Sequence, residues 1–414
     1  MRFNFCTFNY TAYGKLINQC IRKNKQFILC QTTRIFYIQV DDSLEYGINN
    51  LSTFYLVIGM EWSRSREREK MRKQREKVDT KKEKHYKLQK DEIFNQRYLF
   101  VQAISDGTFG RVVRVFDGGE NDFKAIKIIK SVKRHIQSAK IEYGILRTIH
   151  QQNQYHPGNE KIVRAYEAFS HKDNYCIVFE DLGLSLYDFM RGKYFGGFEL
   201  KAVQQILFDC LQGLDFMHAS GYTHTDLKPE NILLIDKQQK GKKENHYHVK
   251  IIDLGGAVFQ TECHSQLINT RQYRAPEVIL KNNWTNLSDM WCMGCIAVEL
   301  FTGQQLFRPK GNDFFHLAMI EKHCGPIPIE MIQQCRNEAR EYFNEYQLND
   351  SFLKWPDDSI MVQELSLMKV FRAFIPQNQY ELINLIENLI VIEPLKRLTP
   401  KQALEHDFFK LKFN

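Results

Sequence analysis

The chain has 414 residues, of which 43% are hydrophobic and 26% charged; that suits a globular protein of two or three domains or one large bilobal unit with an extension. No window holds about 20 uninterrupted apolar residues, which argues against a membrane-spanning helix, and the ten scattered cysteines do not form a disulfide framework. The net charge of +8 is local: residues 63–90 hold 13 Lys or Arg against 5 Asp or Glu, whereas 91–414 hold 38 against 40, which excludes a domain-wide nucleic-acid surface.

Residues 1–60 are aromatic and Asn-rich, without a clear period and without the apolar core and cleavage site of a signal peptide. They receive no fold or role, and an intracellular setting is expected. Met60 opens a more coherent stretch and is a candidate alternative start. Residues 61–92 begin at Glu61 and run through Ser63-Arg64-Ser65-Arg66 with almost no apolar residues. Such a segment cannot bury a core, so a disordered linker or a lone solvated helix is expected. A nuclear-import or RNA-contact role and a plain soluble linker both remain open. From Tyr98 onward the pattern predicts strands over 98–104, 111–116 and 123–129, a helix near 136–149, and strands near 162–169 and 175–180. Val203, Ile206, Leu207, Cys210, Leu211 and Leu214 then mark the buried stripe of a helix. An α+β, bilobal architecture follows, with a small β-rich N-lobe over about 98–182 and a larger, mainly helical C-lobe over about 183–409.

Phosphoryl transfer needs positioned phosphates, neutralised charge and a carboxylate that orients the acceptor hydroxyl. Ser105-Asp106-Gly107-Thr108-Phe109-Gly110, before Arg111-Val112, resembles a kinase glycine-rich loop, with Ser105 where the first Gly usually stands. Taken alone it reads as a tight β-hairpin. Lys127 matches the strand lysine that holds the α- and β-phosphates, and Glu142, 15 residues on in a helix, is placed to pair with it. His224-Thr225-Asp226-Leu227-Lys228-Pro229-Glu230-Asn231 resembles a kinase catalytic loop: Asp226 to accept the hydroxyl proton, Lys228 to offset γ-phosphate charge, Asn231 to hold magnesium. Asp253-Leu254-Gly255 follows a β-rich run, and its carboxylate suits the same hard cation. Ala275-Pro276-Glu277, with Arg397 as the partner of Glu277, and Asp289-Met290-Trp291-Cys292-Met293-Gly294 read as scaffold. Cys292 and Cys295 form a C-x-x-C inside an apolar run and read as buried thiols before a metal site.

From about 98 to 409 the chain resembles a eukaryotic protein kinase of the CMGC group and, within it, the dual-specificity CLK or LAMMER family. Thr225 carries that family's Thr in place of the commoner Arg, and His264 to Glu277 resembles its activation segment. His316-Leu317-Ala318-Met319-Ile320-Glu321-Lys322 stands where the naming motif belongs, with Ile320 and Lys322 departing from L-A-M-M-E-R. The resemblance implies a protein kinase fold and transfer of the γ-phosphate of ATP, with magnesium, to Ser or Thr, Tyr being left open as a further acceptor. It implies catalytic roles for Asp226, Lys228, Lys127 and Glu142. The nucleotide site would comprise Ser105, Asp106, Gly107, Thr108, Phe109, Gly110, Val112, Ala125, Lys127, Glu180, Leu182 and Leu233, and the metal site Asn231 and Asp253. Arginine-serine-rich splicing factors as substrates, a nuclear setting with a cytoplasmic pool, and a monomer are the further expectations; direct nucleic-acid binding is left only to 63–90. A DYRK-like kinase is the alternative, opposed by Tyr273 being the lone tyrosine of the activation segment. A pseudokinase scaffold would draw on Ser105 and Leu254, against an intact Lys127, Glu142, Asp226, Asn231 and Asp253. Because the Arg that commonly binds an activation-loop phosphate is Thr225 here, activity without loop phosphorylation is expected.

Overall fold

The structure is a computed structural model that describes residues 27–31, 34–38, 86–107, 109–235, 247–261, 267–344, 352–353 and 359–413. The chain divides into two compact units, 1–80 and 81–414. In the first, within residues 1–60 that the sequence left unassigned, β1 (Phe27–Gln31) and β2 (Arg34–Ile38) pair antiparallel, from Phe27 opposite Ile38 to Gln31 opposite Arg34.

Residues 61–85 of the expected linker lie outside the described residues, but its last residues are packed. Tyr86 and Leu88 rest on the apolar cluster formed by Phe94, Tyr98, Val113, Val115, Ile126, Ile128, Cys176 and Val178. The buried Glu92 carboxylate accepts from Gln89 N (3.1 Å), His171 Nε2 (3.1 Å), Lys172 Nζ (2.6 Å) and the Tyr86 hydroxyl. Burial opposes its charge, yet these donors prevail and hold it at about 2.

The second unit opens with a six-stranded antiparallel sheet in the order β3-β4-β5-β6-β8-β7. Its strands are β3 (Ile93–Phe94), β4 (Tyr98–Asp106), β5 (Gly110–Asp117), β6 (Asp122–Ile129), β7 (Ala165–His171) and β8 (Asn174–Glu180). Alternation places Val113 and Val115 on one face of β5. The strand expected from Ile162 starts instead at Ala165. Ile162 is fully buried and makes a lone parallel bridge to Ile251, which takes it out of the sheet. Helix α1 (Lys133–Gln152) crosses this sheet with Ala139, Glu142, Ile145, Leu146 and Ile149 buried.

The rest is mainly helical. In α2 (Leu200–Ala219) the stripe Val203, Ile206, Leu207, Cys210, Leu211 and Leu214 is buried as its spacing predicts. Helix α3 (Leu287–Thr302) is buried at every residue from Ser288 to Leu300, as befits a helix apolar all round. Cys292 and Cys295 lie in it, the Cys292 thiol donating to Tyr273 O at 3.1 Å. Helix α4 (Asp313–Cys324) carries the segment His316–Glu321 and buries Phe315 to Ile320, a packing helix of the large lobe. Arg397 makes a bidentate pair with Glu277, both contacts 2.7 Å, and donates to three backbone carbonyls, satisfying a buried guanidinium.

Two short antiparallel ladders position the site. β9 (Tyr222–Thr223) pairs with β12 (Val258–Phe259), and β10 (Ile232–Leu234) with β11 (Val249–Ile251). The loop 224–231 and the turn 252–257 are thereby held side by side.

Candidate active site

One buried carboxylate shapes the loop between β9 and β10. Asp289 of α3 is fully buried and accepts the N–H groups of His224 (2.8 Å) and Thr225 (3.1 Å) as well as His218 Nε2 (3.0 Å). The Asp226 N–H donates to His224 Nδ1 (3.2 Å), so the ring proton sits on Nε2 and faces Ile252 O at 2.9 Å. The loop passes through a left-handed residue, Thr225 at φ +71°, a conformation that costs a β-branched side chain on the order of 1–3 kcal/mol.

These constraints present the Asp226 side chain. Its Oδ2 accepts Lys228 Nζ at 2.6 Å, and its Oδ1 accepts the Thr270 hydroxyl at 2.7 Å and the Thr270 N–H at 3.2 Å. Lys228 Nζ also reaches Thr270 Oγ1 at 3.0 Å. Asn231 Nδ2 donates to Asp226 O (2.9 Å), which leaves its Oδ1 as an oxygen ligand.

Opposite, Lys127 Nζ lies 3.1 and 2.9 Å from the two oxygens of Glu142 and 3.1 Å from Asp253 Oδ1. Burial alone would lower the Lys127 pKa, but the two carboxylates outweigh it and raise the value, so the ammonium stays charged. Asp253 is likewise opposed by burial and held below the usual carboxylate range by Lys127. Its backbone is left-handed at φ +62°.

A cleft of about 680 Å³ is lined by Ser105, Val112, Ala125, Lys127, Glu142, Glu180, Leu182, Leu233 and Asp253. A smaller cavity under the loop tip joins Phe109 and Asp226 to Lys127, Glu142 and Asp253. Thr108 lies outside the described residues. The Asp106 carboxylate is turned to the Arg111 guanidinium, with Nη2 to Oδ2 at 2.8 Å. Glu180 likewise commits its carboxylate to Lys250 Nζ (2.9 and 2.8 Å) and the Arg164 N–H (2.7 Å), which leaves its main chain to the cleft. Gly107 N is bonded to Gly110 O at 2.8 Å, closing the loop.

Sequence reasoning missed four contributors. Phe179 and Ile252 line the cleft and were legible as the apolar neighbours of Glu180 and Asp253. Thr270 and Ser138, whose hydroxyl donates to Gly255 O at 3.2 Å, carry no local signal because only the tertiary fold brings them to the site.

The donor set suits a hard divalent cation bound together with phosphates. Asn231 and Asp253 offer oxygens on adjoining segments, and among the described residues no group of three or more His, Cys, Asp or Glu would hold a metal unaided. No helix among the described residues is long and apolar enough to cross a membrane.

Residues 98–409 match the protein kinase domain family. The chain is 34% identical to the dual specificity protein kinase CLK4 of Mus musculus, over 82% of this chain and 72% of that protein. It is 33% identical to the serine/threonine-protein kinase AFC3 of Arabidopsis thaliana, over 80% and 86% respectively. A crystallised kinase domain superposes with a TM-score of 0.72 at 32% identity, covering 78% of this chain and 98% of the other. The fold is therefore the protein kinase fold, and the chain belongs to the protein kinases, within them to the CLK or LAMMER kinases of the CMGC group.

Proposed function

We propose that this kinase transfers the γ-phosphate of magnesium-bound ATP to Ser or Thr of arginine-serine-rich proteins, with Asp226 as the general base. The observation that carries the reading is the placement of Asp226. Both its oxygens are oriented, by Lys228 and Thr270, while Asn231 is tied to its main chain. The substrate hydroxyl attacks the γ-phosphorus, the bond to the bridging oxygen of ADP breaks, and the hydroxyl proton passes to the Asp226 carboxylate. Lys228 offsets charge on the transferring group. Lys127, aimed by Glu142, holds the α- and β-phosphates. Val112, Ala125, Leu182 and Leu233 supply apolar walls for the base, with the main chain of Glu180 beside them, and Ser105 to Gly110 cover the phosphates. Magnesium, held by Asn231 and Asp253, would neutralise phosphate charge.

An arginine-rich substrate suits the acidic lining. Asp188 and Glu230 also border the cleft, and Glu230 Oε2 is buried without a protein partner. Burial raises the Glu230 pKa, and a guanidinium arriving beside it would favour the charged form. We further propose a monomer, a nuclear setting with a cytoplasmic pool, and a kinase domain over 98–409. Nucleic-acid contact is confined to 63–90.

The test is transfer from labelled ATP to an arginine-serine repeat peptide and to a generic basic peptide. The repeat peptide is expected to be preferred, and Asp226→Asn to lose about 10²- to 10⁴-fold in rate, the usual contribution of a general base. Transfer undiminished in the variant refutes the assigned base. Equal use of both peptides refutes the substrate class.

A further inference from the structure

The sequence presents Thr225 as a loss, a missing ligand for a loop phosphate. In the fold every polar atom of that residue is used. Its N–H donates to Asp289 Oδ1 at 3.1 Å, and its carbonyl accepts both the N–H and the Nδ2 of Asn269, at 2.8 and 3.0 Å. Its hydroxyl donates to Gly256 O at 2.7 Å. Gly256 is the last residue of the short helical turn Leu254–Gly256 that follows Asp253.

Thr225 therefore joins three segments: the catalytic loop, the turn behind the metal-facing carboxylate, and the activation segment. Asn269 is followed by Thr270, which holds Asp226, so the activation segment is anchored at two successive residues of the catalytic loop. The donor end of the hydrogen bond from Thr225 to the turn is left-handed backbone, at φ +71°, and so is Asp253, three residues before the Gly256 acceptor, at φ +62°. Such conformations persist only where surrounding contacts over-determine them. The approach is also close: a Cβ added to Gly256 would lie 3.0 Å from Thr225 Oγ1. On its other side the turn is held by Ser138, through Gly255 O. Removing the threonine hydroxyl would leave the Gly256 carbonyl without this partner and free one side of the turn.

We propose that Thr225 is a positioning residue for phosphoryl transfer, its hydroxyl fixing the turn 253–256 to the catalytic loop so that the backbone carrying Asp253 is held by a neutral hydrogen bond. This rests on Asp253 being a metal-binding residue, as proposed above.

The experiment titrates a non-hydrolysable ATP analogue into the full-length chain by calorimetry, with and without magnesium, below the melting temperature of each variant. Thr225→Val keeps the β-branch and hence the backbone preference while removing the hydroxyl. It is expected to lower the magnesium-dependent affinity about tenfold with the metal-free affinity unchanged, Thr225→Ser is expected to restore it, and Gly256→Ala to reproduce the loss. Should Thr225→Val destabilise the chain too far, Gly256→Ala carries the test. A full magnesium-dependent gain in Thr225→Val, or in Gly256→Ala where that variant carries the test, overturns the proposal, as does a Thr225→Ser variant as weak as Val. Asp253→Asn is the control: if the magnesium gain survives there, the metal assignment has failed instead.

Discussion

The two glycines of the phosphate loop are not equivalent. A Cβ on Gly110 would lie 2.1 Å from Ile128 O, across the ladder between β5 and β6, whereas one on Gly107 would meet only Gly110 O at 3.6 Å. Gly110 is thus required by strand packing, and Gly107 is left to serve the nucleotide. Gly110→Ala should cost about 1–3 kcal/mol, as overpacking usually does, and show as a lower melting temperature; Gly107→Ala should melt as the parent does while raising KM for ATP. Ser105 pairs with Val112 just after a register shift between Ala103 and Ser105, and has no left-handed φ that would call for glycine. Its side chain lines the cleft, so Ser105→Gly is expected to lower KM for ATP without changing kcat. An unchanged KM would show that the departure at this position is silent. That Lys127, Glu142, Asp226, Asn231 and Asp253 belong to one site was legible from spacing. The role of Thr225 was not, because its acceptor lies 31 residues away in sequence.

Among the elements, α3 carries a buried acid with a consequence for stability. Glu299 Oε2 accepts the Tyr273 hydroxyl at 2.6 Å, and both residues are buried. Burial pushes Glu299 up to about 7, although the tyrosine hydrogen bond pulls the other way. The folded value lies above the ordinary value of 4.5, so the folded chain binds this proton more tightly than the unfolded chain. The stabilisation is full below about 4.5 and is lost as pH rises to about 7. Glu299→Gln removes the titration and retains an acceptor for Tyr273. Its melting temperature should exceed that of the parent at pH 8 and lie close to it at pH 5. A difference that does not grow with pH would refute the assignment. At this scale sequence reading succeeded wherever periodicity was strong, as along α2, and failed where one contact overrode propensity. Ile162 continues an apolar run, yet its bridge to Ile251 delays the start of β7. Tyr86 and Leu88 sit in a charged stretch, yet Glu92 and the small-lobe cluster hold them.

For the molecule as a whole, direct hydrogen bonds join the activation segment to the catalytic loop. Asn269 and Thr270 reach Thr225 and Asp226 directly, and Arg274 braces the segment through Ile268 O and Asn269 O, both at 3.1 Å. Phosphatase-treated protein is therefore expected to retain its activity, and a large loss in a peptide-transfer assay would refute this. The sequence alone determined the family and the bilobal order of strands then helices, and it named in advance the side chains that the fold brings together. It could do so because phosphoryl transfer demands particular side chains at short fixed spacings, and local periodicity follows from burying one face of each element. Only the tertiary structure decided how those groups are held. Asp289 orders the catalytic loop from 64 residues away, Glu180 turns its carboxylate out of the cleft to Lys250, and the Thr225 hydroxyl grips the turn behind Asp253. Each is a hydrogen bond between segments distant in the chain, and its existence depends on tertiary packing rather than on any local pattern.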